Sequence, residues 1–190
     1  MILLPKLILA SGSPRRAEIL TSVGWEFTKV VPDVDESEVE GETPDDYVVR
    51  LAKVKAEKVA AAHRGQIVLG ADTTVVINGQ IIGKPLDLSD ARRMLKLLSG
   101  NWHEVLTGVA IVRNGDTHSG IQCTRVKFSA MNDAEIEFLA TRGDPLDKAG
   151  AYAVQAQAAL FIESIEGDYW NVVGLPVSLV YELVQKPARK

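Results

Sequence analysis

A short segment near the amino terminus combines residue types that could bind a phosphate group: Ser11-Gly12-Ser13-Pro14-Arg15-Arg16. Ser13 and Pro14 signal the start of a helix, whose backbone N–H groups attract an anion. Arg15 and Arg16 add forked donors that match phosphate oxygens. The Gly-x4-Gly-Lys pattern of a Walker loop is absent, so a phosphate site here is of another type. A plain capped helix with surface arginines is the alternative.

Two carboxylates, Asp72 and Glu36, could serve the same chemistry. Asp72 is predicted to lie just past a buried strand, where open α/β sheets place their ligands. Glu36 belongs to an acidic run from Asp33 to Glu42. Carboxylate oxygens suit Mg²⁺ or Mn²⁺, which proteins often hold through one or two carboxylates beside substrate phosphates. A turn role for Asp72 and a solvated loop for the acidic run remain open.

Three lysines complete the candidate set. Lys84 lies between Gly83 and Pro85, Lys55 falls on a predicted helix, and Lys148 follows Asp147. A triphosphate needs neutralising cations, and a carboxylate can activate the attacking water. The charged residues therefore favour phosphoryl chemistry, although each lysine alone could equally be a solvated surface residue.

Short apolar runs and turn signals predict the elements that would hold these segments. Strands are predicted at 7–10, 27–31, 67–69, 74–77, 81–82, 105–112 and 121–128, and a hairpin from 160–165 and 169–173. Helices are predicted over 14–23, 44–63, 89–98 and 132–141, and after 176. The chain is therefore expected to be mixed α/β, and residues 1–190 to form a single domain or two small lobes around one sheet.

Composition narrows the classes of function. A net charge of -4 disfavours nucleic acid as a partner. The single cysteine, Cys123, excludes an intramolecular disulfide framework and favours a reducing compartment. No apolar stretch reaches the roughly 20 residues that span a bilayer, so we expect a cytoplasmic protein without a membrane partner. The three histidines show no metal-ligand spacing, so no zinc site is predicted.

Five motifs in order resemble those of one known family. They are the segment 11–16 quoted above, Gly70-Ala71-Asp72-Thr73, Gly83-Lys84-Pro85, Asp147-Lys148-Ala149-Gly150-Ala151-Tyr152 and Asn171-Val172-Val173-Gly174-Leu175-Pro176. Together they resemble the Maf family of nucleotide pyrophosphatases over nearly the whole chain. The resemblance implies an elongated mixed sheet with two lobes flanking a cleft, similar to inosine triphosphatases. It also implies a homodimer and metal-dependent hydrolysis between the α and β phosphates.

The resemblance also assigns roles to single residues. Asp72 matches the family's proton acceptor, Glu36 the acidic residue of the loop after the second strand, and Lys84 the lysine of the third motif. The resemblance implies that these three residues are catalytic. Both carboxylates are expected to bind Mg²⁺ or Mn²⁺. The remaining matches are expected to bind the nucleotide: Ser13, Arg15, Arg16, Lys55, Thr73, Lys148 and Gln155.

One branch of the family, acting on dTTP and UTP, shares the pattern of Tyr152 followed by Gln155. In that branch Arg15, Thr73 and Gln155 match positions tied to base choice. The chain departs from the branch at Ala153, Ala156 and Gln157, where glycines are usual, and this bears on substrate preference. A 7-methyl-GTP pyrophosphatase is one alternative. Another is a non-catalytic nucleotide sensor acting in septum formation, the process from which the family takes its name.

Overall fold

The computed structural model describes residues 4–187. Its strands are β1 (Leu7–Ala10), β2 (Phe27–Val30), β3 (Ile67–Ile77), β4 (Gln80–Ile82), β5 (Trp102–Arg113), β6 (Asp116–Phe128) and β7 (Ile162–Glu166). Its helices are α1 (Pro14–Ser22), α2 (Pro44–Ala62), α3 (Leu88–Leu98), α4 (Asp133–Arg142), α5 (Tyr169–Val173) and α6 (Val177–Gln185). Short 3₁₀ turns cover Pro145–Asp147, Ala149–Ala151 and Gln157–Leu160.

The strands form one mixed sheet in the order β2-β1-β3-β5-β6-β7, with β4 paired to β3. β1 is parallel to both its neighbours, with Leu7 opposite Phe27 on one side and Ile67 on the other. β4 runs antiparallel to β3, and β7 antiparallel to β6. The prediction of a mixed α/β fold is thus confirmed, whereas the cleft between two lobes remains a prediction. No helix in the described part of the chain has the length and apolar character that crossing a membrane requires.

The chain divides into two compact units. The first unit contains the described residues up to Asp72, with 107–122 and the residues from Gly174 onward. The second contains 73–106 and 123–173. Each unit therefore collects segments that are distant in sequence.

Side-chain caps fix where the first two helices begin, as the sequence predicts. Ser13 Oγ accepts a hydrogen bond from the Arg16 N–H at 3.4 Å, and Thr43 Oγ1 accepts one from the Asp46 N–H at 3.2 Å. Each cap is followed by a proline, whose fixed φ and missing N–H suit the first helical position. The caps place α1 directly after β1 and start α2 directly after the acidic run.

Helix α2 packs very closely on the sheet of the first unit. An added Cβ at Gly70 would lie 2.2 Å from the Ala52 carbonyl oxygen, and one at Gly108 would lie 2.2 Å from that of Val48. Only glycine fits such a close approach of backbone to backbone. Around it lies an apolar core of small and β-branched residues: Ile8, Ala10, Ala52, Ala56, Val59, Val68, Ala110 and Val112. Gly70 therefore sets the distance between α2 and β3, and Gly108 sets the distance between α2 and β5.

Two sequence predictions fail in instructive ways. The predicted hairpin of 160–165 and 169–173 is wrong, because β7 pairs with β6 and residues Tyr169–Val173 form the short helix α5. Asp168 starts that helix by accepting hydrogen bonds from the Trp170 and Asn171 N–H groups at 2.8 and 3.4 Å. This local capping outweighs the strand propensity of the aromatic and valine residues.

The second failure concerns the third strand. The predicted break after Leu69 does not occur, since β3 runs unbroken from Ile67 to Ile77. Asp72 accordingly lies inside a strand and not in a turn past its end, so both the predicted position and the turn alternative are wrong.

Candidate functional site

The first part of the site is a buried arginine at the start of α1. Arg16 Nε donates to the Gly174 carbonyl oxygen at 2.9 Å, and its Nη1 donates to Ser11 Oγ at 3.1 Å. Its side chain is only 8% exposed, and burial lowers the pKa of the guanidinium from its ordinary value. Arg16 is therefore a cation held in place by the motif that precedes it and by the glycine that precedes α6.

Asp72, Lys55 and Glu36 form the second part of the site. Lys55 Nζ lies 2.6 Å from Asp72 Oδ1 and 2.8 Å from Glu36 Oε1. Asp72 comes from β3 and Lys55 from α2, so the close packing at Gly70 brings them within reach. Glu36 comes from the exposed acidic run, and its side chain is 52% exposed. Two carboxylates thus converge on a single ammonium group.

The electrostatics of Asp72 show opposing effects. Burial raises the pKa of its carboxyl above the ordinary value, whereas the positive charges of Lys55 and Arg16 act in the opposite direction and Glu36 adds a smaller upward effect. A carboxylate with a raised pKa is a stronger base than a solvated one. The lysine contact keeps its negative charge in an otherwise unfavourable environment.

Tyr47 lies on α2 beside this negative region. Its pKa is raised to about 12, first by burial and then by the charges of Asp72, Glu36 and Glu38. The phenol therefore stays protonated at neutral pH, and it donates to the Glu36 carbonyl oxygen at 3.1 Å.

Four predicted site residues belong to the second unit, and their surroundings differ. Thr73 is half-buried and follows Asp72 along β3, while Lys84 and Gln155 are exposed. Lys148 is buried, and its ammonium contacts the Asp144 carbonyl oxygen and both the Asp144 and Asp147 carboxylates.

The segment that carries Lys148 and Gln155 is held by contacts within the second unit. The Gly150 N–H donates to the Gly83 carbonyl oxygen at 3.0 Å, which ties the segment to the loop of Lys84. Gly150 has φ 69°, and a Cβ there would lie 2.9 Å from Val75. Tyr152 OH and His103 Nε2 are 2.7 Å apart in the buried interior of this unit.

The structure thus sorts the predicted site residues into two groups. Ser13, Arg15, Arg16, Glu36, Lys55 and Asp72 belong to the first unit, and Thr73, Lys84, Lys148 and Gln155 to the second. Burial excludes the solvated-surface alternative for Lys55 and Lys148, but Lys84 is exposed. Ser13 caps α1, as the capped-helix alternative has it, yet Arg16 is buried and not a surface residue.

The donor atoms suit a hard divalent cation. Within residues 4–187 there is no group of three or more His, Cys, Asp and Glu side chains that could hold a metal ion. Asp72 and Glu36 nevertheless offer two convergent sets of carboxylate oxygens, and Mg²⁺ typically uses one or two carboxylates beside substrate phosphates. These two residues therefore fit a metal that is shared with a phosphate ligand.

Sequence reasoning missed the residues that support the site. Ser11 and Gly174 hold Arg16, while Tyr47 and Arg50 contact the loop of Glu36. Ser11 and Gly174 lie inside two of the five motifs, so the sequence did contain a signal for these two residues. Tyr47 and Arg50 are three residues apart on α2 and so share one face of it, but nothing in the sequence says which loop that face contacts.

Known proteins resemble this chain over most of its length. The family described as Maf-like protein matches residues 6–187. A protein of Geotalea uraniireducens named dTTP/UTP pyrophosphatase is 51% identical over 183 residues, covering 95% of this chain and 94% of the relative. A protein of the same name from Vibrio cholerae is 45% identical, covering 95% and 97%.

Solved structures show a weaker likeness. The Staphylococcus aureus Ham1 protein has a TM-score of 0.46 and 15% identity, covering 65% of this chain and 71% of its own. A HAM1 protein from Coxiella burnetii has a TM-score of 0.48 and 19% identity, covering 67% and 74%.

Proposed function

The chain belongs to the Maf family, which confirms the resemblance drawn from its motifs, and from this premise we propose that it is a nucleoside triphosphate pyrophosphatase. Its substrates are dTTP and UTP, which it hydrolyses to the monophosphate and pyrophosphate. Relatives named dTTP/UTP pyrophosphatase, 45–51% identical over at least nine-tenths of the chain, support this choice.

The observation that carries the proposal is the buried contact between Lys55 and Asp72 at 2.6 Å, with Glu36 on the same ammonium group. A structural ion pair between Lys55 and Asp72 has no need of a second, half-exposed carboxylate. A hydrolase does need a shielded base beside an accessible acidic group.

Asp72 is the proposed proton acceptor. As the water oxygen forms its bond to phosphorus, its proton passes to the Asp72 carboxylate. The bond to the bridging oxygen breaks, and pyrophosphate leaves with the electron pair. Lys55 holds Asp72 ionised and oriented, since burial alone favours the neutral acid.

The phosphate chain is bound by the start of α1 and its arginines. The positive end of the α1 dipole favours an anion, and the forked side chains of Arg15 and Arg16 match the oxygens of a polyphosphate. Glu36 and Asp72 would hold a divalent cation, Mg²⁺ or Mn²⁺, which supplies positive charge opposite the phosphate oxygens. Lys84 and Lys148 are proposed to add further positive charge.

Base choice is proposed to rest on Arg15, Thr73 and Gln155. The alanines at 153 and 156 replace glycines that are usual in this branch of the family. Their Cβ atoms restrict the backbone on either side of Gln155. This chain can therefore differ from its relatives in its preference among dTTP, UTP and modified pyrimidine nucleotides. A homodimer in the cytoplasm completes the proposal.

The test is pyrophosphate release from a panel of dTTP, UTP, the other common triphosphates and 7-methyl-GTP, with and without Mg²⁺ or Mn²⁺. We expect metal-dependent turnover that is greatest with dTTP and UTP. Asp72→Asn should lower kcat by roughly 100-fold or more while the protein stays folded. Nucleotide binding without turnover would instead support a sensor, and a fully active Asp72→Asn protein would remove the proposed base.

A further inference from the structure

The acidic run is held against α2 by three side chains, which we call the α2 clamp: Tyr47, Arg50 and Glu42. Tyr47 OH donates to the Glu36 carbonyl oxygen at 3.1 Å. Arg50 Nη2 donates to the Ser37 carbonyl oxygen at 3.0 Å. Two neighbouring backbone carbonyls of the run are thus bound by side chains that are one helical turn apart.

Glu42 completes the clamp from the other end of the run. Arg50 Nε and Nη2 donate to the two Glu42 carboxylate oxygens at 2.6 and 2.7 Å, which is a bidentate pair. The guanidinium also lies 5.6 Å from the centre of the Tyr47 ring. Bidentate pairs fix direction as well as distance, so Arg50 is oriented toward the run.

Besides the clamp, the ion pair between Lys55 Nζ and Glu36 Oε1 at 2.8 Å also attaches the run to α2. Every residue from Asp35 to Gly41 is exposed, and this segment contains no strand or helix. Its own local hydrogen bonds, such as that from the Ser37 N–H to Asp35 Oδ1 at 2.9 Å, shape the turn but do not attach it to the sheet or to a helix. Its placement therefore depends on contacts with α2.

We propose that the α2 clamp consists of positioning residues that hold Glu36 where it can bind a divalent cation together with Asp72. The same helix carries the clamp and Lys55, so α2 sets the positions of Glu36 and of the ammonium between the two carboxylates. The inference rests on the proposed function only in taking Glu36 as a metal ligand. It adds three residues that touch neither metal nor substrate and act through the backbone of the run.

Tyr47→Phe and Glu42→Gln test the clamp, because each removes one contact and keeps the shape of the side chain. Tyr181→Phe on α6 is the matched control for the tyrosine. Glu137→Gln is the control for the glutamate, because Glu137 forms an equivalent bidentate pair with Arg92 at 2.5 and 2.8 Å. The measurements are hydrogen–deuterium exchange of residues 35–41 and Mn²⁺ binding to the nucleotide-free protein by electron paramagnetic resonance.

In both clamp variants we expect faster exchange at 35–41 and about tenfold weaker Mn²⁺ binding, the size typical of losing an outer-shell contact. The controls should leave both quantities within about twofold of wild type. In a Glu36→Gln background the clamp substitutions should add less than about twofold to the loss of Mn²⁺ affinity, because they act through Glu36.

Three outcomes would overturn the clamp: unchanged exchange at 35–41, unchanged Mn²⁺ affinity despite faster exchange, or full additivity with Glu36→Gln. A wild-type protein that binds no Mn²⁺ would overturn it too. A wild type that binds Mn²⁺ but hydrolyses no triphosphate would contradict the proposed function alone, since the exchange and binding measurements do not depend on turnover.

Discussion

Lys55 on α2 and Asp72 on β3 form an ion pair of 2.6 Å in which the side chains are 9% and 10% exposed. Burying two charges is unfavourable unless they compensate each other. The pair joins a helix to a strand through a contact that spans 17 positions of sequence. The geometry of this ion pair supports the proposed chemistry, and the stability of the fold should also depend on the pair.

Removal of the Lys55 ammonium should lower the stability of the fold. Lys55→Met leaves Asp72 buried without its main compensating charge, so we expect a loss of about 3 kcal/mol in the free energy of unfolding at pH 8. Urea denaturation measures it. Burial already raises the pKa of Asp72, so the folded state binds a proton more tightly than the unfolded state. The loss should therefore shrink as the pH is lowered toward 5.

The double variant Lys55→Met with Asp72→Asn separates stability from activity. It removes both charges, so part of the lost stability should return while turnover stays absent. A double variant no more stable than Lys55→Met would show that the pair is not the origin of the loss.

Gly70 should tolerate no side chain. The Cβ of Gly70→Ala would meet the Ala52 carbonyl oxygen at 2.2 Å and the Ala56 nitrogen at 2.8 Å, and both are backbone atoms of α2. We expect a loss of about 3 kcal/mol or more in thermal or urea unfolding, because the helix must move away from the sheet. Gly83→Ala is the matched control for stability, since its Cβ meets no described atom within 4 Å. Equal stability of the two variants would contradict the close packing.

Arg16 should not be replaceable by lysine. Arg16→Lys retains the charge but lacks the planar fork through which Nε donates to the Gly174 carbonyl oxygen and Nη1 to Ser11 Oγ. We expect kcat/KM for dTTP to fall by about tenfold or more, equivalent to roughly 1.4 kcal/mol of transition-state stabilisation. Arg142→Lys, on the exposed surface of α4, should leave the kinetics unchanged. Wild-type kinetics in Arg16→Lys would show that Arg16 contributes only its positive charge and not the geometry of its guanidinium.

His103 should make the fold sensitive to acid. Burial lowers the pKa of its imidazole to about 4, while an unfolded histidine titrates near 6.5. The unfolded state therefore binds the proton more readily, and stability falls as the pH drops from 6.5 towards 4. The full difference is about 3 kcal/mol, at roughly 1.4 kcal/mol for each pH unit.

His103→Gln checks this, because glutamine can still bond to Tyr152 OH but does not titrate. Urea denaturation of both proteins between pH 7 and pH 4.5 should give a shallower decline for the variant. Parallel declines would mean that other groups, and not His103, cause the acid sensitivity.

Local features of the sequence determined a large part of this protein. Ser13 with Pro14 and Thr43 with Pro44 fixed the starts of α1 and α2, because a cap and a proline act within one turn of helix. The Asn78-Gly79 turn fixed the β3–β4 pairing in the same way. The motifs identified the family and the charged residues of the site, because the chemistry of these residues can be inferred without knowledge of the fold.

Only the tertiary structure decided how those residues meet. From the sequence alone, Lys55 is indistinguishable from a helical surface residue, but the close packing at Gly70 places α2 on β3 and buries this lysine. The acidic run is predicted to be a solvated loop, but Tyr47 and Arg50 bind it to α2. The sequence predicts a strand at 169–173, whereas in the structure Asp168 caps these residues as a helix. These outcomes depend on contacts between segments far apart in the chain, or on which of two comparable local preferences prevails. Neither is encoded in the spacing of residues along one segment.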